Sequence, residues 1–176
     1  MLNIKKRSEY QLLKDCQRKD RLAQKELYDN YKNAMFTLIY RITNDLKLSE
    51  EILQDAFMKV FKHINNFRGE ASIGSWIKTI VTRTALEKVK QKIRFEPLEG
   101  QAYEEVIDWG HHLDIDYLEK AIQSLPEGYR AVFVLIEIEG YAHKEVAMML
   151  GISVGTSKSQ LYHAKRKLKE LLTDYR

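Results

Sequence analysis

The sequence predicts an all-α protein of two small helical domains joined by a flexible acidic linker. Between residues 20 and 64, apolar residues recur every three or four positions, and no glycine or proline interrupts them. Residues 95–117 contain Pro97, Gly100 and Gly110, which are typical of a connector. Residues 140–172 then show the pattern of two short helices separated by a turn at Gly151. We therefore expect domains at residues 1–94 and 118–176, with residues 95–117 as the linker.

Length and composition are those of a globular protein. The chain has 176 residues, of which 44% are hydrophobic, so it can bury the cores of two small domains. No stretch approaches the roughly 18 uninterrupted apolar residues of a membrane span, and the start MLNIKKRSEY lacks the apolar centre of a secretory signal. We expect a cytoplasmic protein with no membrane insertion of its own. Cys16 is the only cysteine, so an internal disulfide is excluded.

Two helices are predicted to open the first domain. The first spans residues 20–42 and has these apolar positions at helical spacing: Leu27, Tyr31, Met35, Leu38 and Ile42. The second is predicted to begin near Ser49, because a serine hydroxyl can cap a helix and the acids Glu50 and Glu51 suit the positive end of its dipole. Its buried stripe is predicted to contain Ile52, Leu53, Ala56, Val60 and Ile64, with Phe57 and Phe61 at its edge. Its other face carries Glu51, Gln54, Asp55, Lys59 and Lys62.

The loop at residues 65–74 and the helix after it, predicted from about Ser75 to Ile93, combine aromatic and basic side chains. Phe67 and Trp76 stand on either side of the end of the loop, and Lys78 and Arg83 follow in the helix. This arrangement can stack an unpaired base while it holds the phosphates. The alternative is that Phe67 and Trp76 are core aromatics, and composition alone favours this alternative.

Charge is distributed unevenly along the chain. Residues 83–94 have a net charge of +4, whereas residues 95–118 have −7 and contain no lysine or arginine. Basic segments that flank an acidic middle suit a polyanion contacted by both domains, although such charges are also common on a solvated surface. His111 and His112 are adjacent and have no carboxylate or thiol at the usual ligand spacing, so we expect no metal site.

Catalytic motifs are not apparent. The sequence shows no nucleophile–base pair, glycine-rich phosphate loop or paired-acid motif. We expect a protein that is not an enzyme and that needs no cofactor.

Residues 140–172, GYAHKEVAMMLGISVGTSKSQLYHAKRKLKELL, predict a helix-turn-helix. The first helix buries Val146, Met149 and Leu150, and Ser153 can cap the second. In the second helix an apolar stripe is predicted at Ser157, Leu161, Ala164, Leu168 and Leu171. Outside that stripe lie Lys158, Gln160, Tyr162, His163, Lys165, Arg166 and Lys169. Such a helix can enter a DNA major groove, although a helical hairpin with a solvated basic face has the same pattern.

Two segments resemble bacterial sigma factors of the extracytoplasmic-function group. Residues 125–172 resemble the fourth sigma region, with a Leu-Pro-Glu opening, the break EGY and the run GISVGT followed by Lys158 and Ser159. Residues 20–92 resemble the second region, through ELYDNY, SEEILQDAFMKVFKHINNFRGEAS and the pair Ser75 and Trp76. The two segments stand in the family's order and at the family's spacing.

The resemblance implies a subunit that binds core RNA polymerase and directs initiation at particular promoters. It implies contacts with double-stranded promoter DNA and with the single-stranded minus-ten strand, and an inhibitory anti-sigma partner. By position, the residues similar to polymerase-contacting ones are Glu51, Gln54 and Asp55, and those similar to minus-ten contacts are Phe67, Trp76, Lys78 and Arg83.

Helix-turn-helix geometry then assigns the minus-thirty-five contacts. The first turns of a recognition helix meet base edges, and here they carry Lys158, Ser159, Tyr162 and His163. Lys165 and Arg166 follow and are expected nearer the DNA backbone.

The chain departs from the family pattern at two places. Arg83 stands where asparagine is common, and a guanidinium cannot both donate to and accept from a base edge as an amide can. Ile73 and Gly74 replace a pair that is usually aromatic or basic, which predicts extra freedom in the loop.

Two other functions remain open from the residues. A dimeric helix-turn-helix repressor or activator would explain residues 140–172 but not residues 49–76. A regulatory protein that binds polymerase without reading promoters is the other alternative.

Overall fold

The computed structural model describes residues 8–90 and 115–173, and in these ranges every regular element is helical. This confirms the all-α prediction. The helices are α1 (Glu9–Gln17), α2 (Arg21–Thr43), α3 (Leu46–His63), α4 (Ile73–Val89), α5 (Ile115–Ser124), α6 (Glu127–Phe133), α7 (His143–Leu150) and α8 (Val154–Thr173). A 3₁₀ turn at Ile64–Asn66 follows α3, and a π-helical turn at Val134–Ile138 follows α6.

The chain divides into two compact units. The first contains Met1–Ile39 and Leu46–Ala85, and the second contains Tyr40–Asp45 and Leu86–Arg176. Most of the predicted linker, including His111 and His112, lies outside the described residues, and α5 begins at Ile115, within the last three linker positions. Among the described residues no helix is long and apolar enough to cross a membrane.

The first unit is a helical bundle whose core contains one face of each helix. Asp20 starts α2, because its Oδ1 accepts the Ala23 amide at 2.7 Å. The predicted stripe of α3 is buried throughout. Cys16 forms no disulfide and is completely buried, on the same face of α1 as Leu12. The largest fully buried side chains of this unit are Leu27, Ile39, Ile52, Ile64, Ile73 and Ile77.

The predicted start of α3 at Ser49 is wrong. The helix begins three residues earlier, at Leu46, and Ser49 is a completely buried position inside it. The reason lies in the turn before it. Asn44 adopts a left-handed backbone with φ of 52°, which ends α2 and lets the next helix begin at once. Asparagine is one of the few residues other than glycine that adopts this conformation readily.

The predicted freedom at Ile73 and Gly74 is also wrong. Both residues form the first turn of α4, which begins two positions before the predicted start. Ser72 caps this turn, since its Oγ accepts the Ser75 amide at 3.2 Å. Ile73 is buried, and a Cβ on Gly74 would lie 3.0 Å from Cε1 of Tyr31. The pair is therefore held by packing, and glycine allows the close approach of the tyrosine ring.

In the second unit, α5, α6 and α7 each pack against α8. Its core includes Leu125, Leu135, Leu150 and Leu168. Arg130 is buried and donates to the carbonyl oxygens of Leu125 at 2.7 Å and Gln123 at 3.3 Å, so it satisfies the end of α5. Burial lowers the pKa of its guanidinium.

The predicted break at Gly151 and the predicted cap at Ser153 are confirmed. Gly151 ends α7 in the left-handed region with φ of 69°, a conformation that favours glycine. Ser153 then starts α8, because its Oγ accepts the Thr156 amide at 2.9 Å.

Candidate nucleic-acid interface

Helix α3 presents a polar face opposite its buried stripe. Glu51, Gln54 and Asp55 are exposed on this face, as predicted. The face also carries Met58, which is 72% exposed. Met58 follows Gln54 by four positions and Asp55 by three, so the three side chains are neighbours on the helix surface. Sequence reasoning missed Met58, although the spacing that placed Gln54 and Asp55 outside also places Met58 there.

Phe67 and Trp76 form an aromatic pair. Phe67 follows the 3₁₀ turn, Trp76 lies in the first turns of α4, and their ring centroids are 5.6 Å apart at 59°. Both residues are half-buried, so they belong neither to the core proper nor to the free surface. The ring surface that remains accessible is available to a third flat group.

The basic residues of α4 occupy two different sides of the helix. Arg83 is exposed and stands seven positions after Trp76, which brings it to the same side about two turns along. Lys78 is half-buried and is rotated about 200° from Trp76. The structure thus aligns Phe67, Trp76 and Arg83, and sets Lys78 apart from them.

Helix α1 supports the turn that leads to Phe67. It packs against the 3₁₀ turn, and the side-chain amide of Gln17 donates to the Ile64 carbonyl at 3.4 Å. The same carbonyl accepts the Phe67 amide at 3.3 Å. Gln17 was not singled out from the sequence, since a contact 47 residues away leaves no local signal.

Helix α8 buries the predicted Ser157, Leu161, Ala164 and Leu168, and Leu171 is half-buried. Gln160, predicted to lie outside this stripe, is also buried. The stripe is wider than predicted because more than one helix packs on α8. His143 of α7 also contacts this stripe, since its Nδ1 forms a 2.9 Å hydrogen bond with the buried Ser157 hydroxyl.

The polar residues of α8 differ in availability. Lys158 and Arg166 are exposed, and Arg166 forms a surface ion pair with Glu170, with 3.7 Å between Nε and Oε1. Ser159 is half-buried, and its hydroxyl donates to the Gly155 carbonyl at 3.0 Å. Lys165 instead forms an ion pair with Glu137, with 2.7 Å between Nζ and Oε1. Only 22% of its side chain is exposed, so Lys165 is largely engaged within the unit.

Tyr162 and His163 belong to a cluster of three rings. The His163 ring stacks on Tyr129 of α6, with centroids 5.9 Å apart at 17°. Its other neighbour, Tyr162, meets it edge to face at 5.2 Å and 83°. Burial, and secondly the nearby Arg166, lower the pKa of His163 below its ordinary value of 6.5, which favours the uncharged ring.

Comparison with known proteins decides the family. Residues 27–95 match the family described as Sigma-70 region 2, and residues 115–168 match Sigma-70, region 4. The chain is 30% identical to the RNA polymerase sigma factor SigZ of Bacillus subtilis, over 84% of this chain and 85% of that protein. The chain belongs to the extracytoplasmic-function sigma factors. The resemblance noted in the sequence is thereby confirmed.

Other comparisons agree. This sigma factor is 29% identical to the RNA polymerase sigma-H factor of Pseudomonas aeruginosa, over 92% of each chain. It is similar in fold to the sigma factor RpoE of Bartonella quintana, solved in complex with the anti-sigma factor NepR, with a TM-score of 0.55 and 23% identity over 86% of this chain and 98% of that one. Both matched regions lie in one chain in the order of the family, which a dimeric helix-turn-helix repressor does not explain.

Proposed function

We propose that this sigma factor binds core RNA polymerase through the exposed face of α3, opens the minus-ten element with the Phe67–Arg83 segment, and reads the minus-thirty-five element with α8. The carrying observation is that both matched regions present exposed groups suited to these partners opposite a buried face. The chain is a transcription initiation factor. Polymerase supplies the chemistry of RNA synthesis, and the chain itself needs no cofactor for its part.

Polymerase binding is assigned to Glu51, Gln54, Asp55 and Met58. The opposite side of α3 is buried, so the packing of the helix does not account for these four residues. Two acids and an amide offer hydrogen-bond acceptors and a donor, and a methionine adapts its shape to a partner surface. An apolar side chain ringed by polar ones is the usual make-up of a protein interface.

Minus-ten opening is assigned to Phe67, Trp76 and Arg83, with Lys78 as a phosphate contact on the flank. Unstacking a base costs a few kcal/mol, and stacking on an aromatic ring returns about 1–3 kcal/mol per base. The half-buried aromatic pair offers that ring surface in a fixed position. Arg83 lies along the same side of α4, where it can hold a phosphate or a guanine edge.

Minus-thirty-five reading is assigned to Lys158, Ser159 and Tyr162 in the first turns of α8. Lysine donates to guanine acceptors, and a tyrosine ring packs on a thymine methyl. Arg166, farther along the helix and exposed, suits a phosphate. Lys165 can take part in a phosphate contact only if it leaves Glu137.

The setting of the protein follows from the family. The Bartonella quintana relative was solved with an anti-sigma factor, and we propose an inhibitory partner of that kind for this chain as well. We also propose a cytoplasmic location, a first domain at residues 1–94 and a second at residues 118–176, joined by residues 95–117.

One experiment tests this function. The purified chain is added to core RNA polymerase, and transcription starts are mapped across the genome. We expect defined starts with a shared upstream motif. The matched control is the double variant Gln54→Ala and Asp55→Ala, which should abolish those starts while the chain stays folded. Binding of DNA without polymerase-dependent starts would favour a repressor, and polymerase binding without starts would favour a regulator.

A further inference from the structure

The aromatic side chains of α8 contact an aromatic side chain of another helix. Tyr129 lies in the first turn of α6, outside α8, and its half-buried ring stacks on His163 at 5.9 Å and 17°. His163 in turn meets the Tyr162 ring edge to face at 5.2 Å. The three rings form a continuous series from α6 to the outer side of α8.

His163 is poorly suited to act on DNA directly. Its ring lies beside Tyr129 in an offset stack, and it meets Tyr162 edge to face, so it has an aromatic neighbour on two sides. Burial lowers the pKa of His163, which disfavours the charged form that would pair with a phosphate. Its surroundings are those of a packing residue, with Tyr162 as its outer neighbour.

We propose that Tyr129 is a positioning residue for minus-thirty-five reading, and that it acts through His163 to hold the Tyr162 ring in one orientation. The proposal rests on the proposed function, in which Tyr162 contacts a thymine methyl. A tyrosine on a helix surface otherwise chooses among staggered rotamers, and only one of them places its ring against a given base. His163 is the neighbour of Tyr162 on α8 and is itself held by Tyr129 of α6, so it removes that choice of rotamer.

The physical consequence concerns preference rather than overall affinity. Phosphate contacts set how tightly the helix binds any DNA, whereas base contacts set which sequence it prefers. If the ring series orients Tyr162, loss of Tyr129 weakens the preference at the base that Tyr162 contacts. It leaves the other positions of the element unchanged.

The test uses the complete chain assembled with core polymerase and a promoter library randomised across the minus-thirty-five element. Bound promoters are sequenced for the unaltered protein, Tyr162→Ala, Tyr129→Ala and the double variant. Tyr162→Ala should reduce the preference at one position by about tenfold, the lower end of what one methyl contact contributes to discrimination. Tyr129→Ala should reduce the preference at that same position, and should add less than about twofold in the Tyr162→Ala background, since coupled residues are not additive.

Two conservative variants separate positioning from general stability. Tyr129→Phe and His163→Phe keep rings in the series and should retain the preference, whereas His163→Ala should lose it. Melting temperatures of all variants are measured in parallel. A uniform affinity loss for Tyr129→Ala at every promoter, or an equal effect with and without Tyr162, overturns the positioning role. If Tyr162→Ala itself leaves the preference intact, the reading role of Tyr162 fails, and the positioning role of Tyr129 fails with it.

Discussion

Thr82, inside α4, provides a sharp test of the packing of the first unit. Among the buried side-chain polar atoms of the described residues, its hydroxyl is the one without a hydrogen-bond partner. The residue is completely buried. Replacing Thr82 with valine exchanges the hydroxyl for a methyl group of nearly the same size. Mutational data set the cost of an unpaired buried hydroxyl at about 1–3 kcal/mol, so Thr82→Val should raise the free energy of unfolding by about 1–2 kcal/mol.

Thr84 in the same helix is the matched control. It is also buried, but its hydroxyl donates to the Ile80 carbonyl at 2.8 Å. Thr84→Val removes that hydrogen bond and should lower the free energy of unfolding by about 0.5–1.5 kcal/mol. Both substitutions keep a β-branched side chain, so the intrinsic helix propensity changes little in either.

Urea denaturation followed by far-ultraviolet circular dichroism measures both variants. The midpoints should move in opposite directions, upward for Thr82→Val and downward for Thr84→Val, at an unchanged denaturant slope. In a unit of this size, about 1 kcal/mol corresponds to about 4–8 °C in melting temperature. A lower midpoint for Thr82→Val would show that its hydroxyl is satisfied in solution, and equal losses for the two variants would remove the hydrogen-bond argument.

The other predictions concern binding and pH. Gln54→Ala with Asp55→Ala should weaken core polymerase binding while the free energy of unfolding changes by only about 0.5 kcal/mol, as measured by affinity capture and thermal melting. Lys158→Ala should change which minus-thirty-five sequences are used, whereas Arg166→Ala should weaken all promoters alike and reduce the salt slope by about 0.9, as measured in binding titrations. The pKa of His163 is lowered on folding, so its contribution to stability is complete above pH 6.5 and is lost as the pH falls through the lowered value. Between pH 7.5 and 5, the melting temperature of His163→Gln should therefore fall less than that of the unaltered chain.

Helical periodicity predicted the cores well because it depends on local spacing. The stripe of α3 and most of the stripe of α8 are buried as predicted, and the turn at Gly151 and the cap at Ser153 are confirmed. Two of the errors fall at helix starts, those of α3 and α4. Ser49 has the chemistry of a cap, but Asn44 had already ended the preceding helix, so the next one began at Leu46. A capping residue is informative only where the chain is free to begin a helix.

The polar residues of α8 show a different limit. Spacing placed Lys158, Lys165 and Arg166 together as a basic face, but it could not show which cations are engaged inside the unit. Glu137, which pairs with Lys165, comes from the π-helical turn after α6 and is 28 residues away. Such a partner leaves no trace in the periodicity of α8. The burial of Gln160 escaped the periodicity for the same reason, since it depends on the other helices that pack on α8.

The different surroundings of Lys158 and Tyr162 determine how the chain can acquire a new promoter preference. Lys158 is exposed in the second turn of α8, so a substitution there changes one contact and leaves the packing intact. Tyr162 contacts His163, which is held by Tyr129 of α6, and a substitution at any of the three alters the rest of the series. Preference at the Lys158 contact should therefore change by single substitutions. Preference at the Tyr162 contact should require paired changes in α6 and α8, because neighbouring residues in one packed cluster do not act independently.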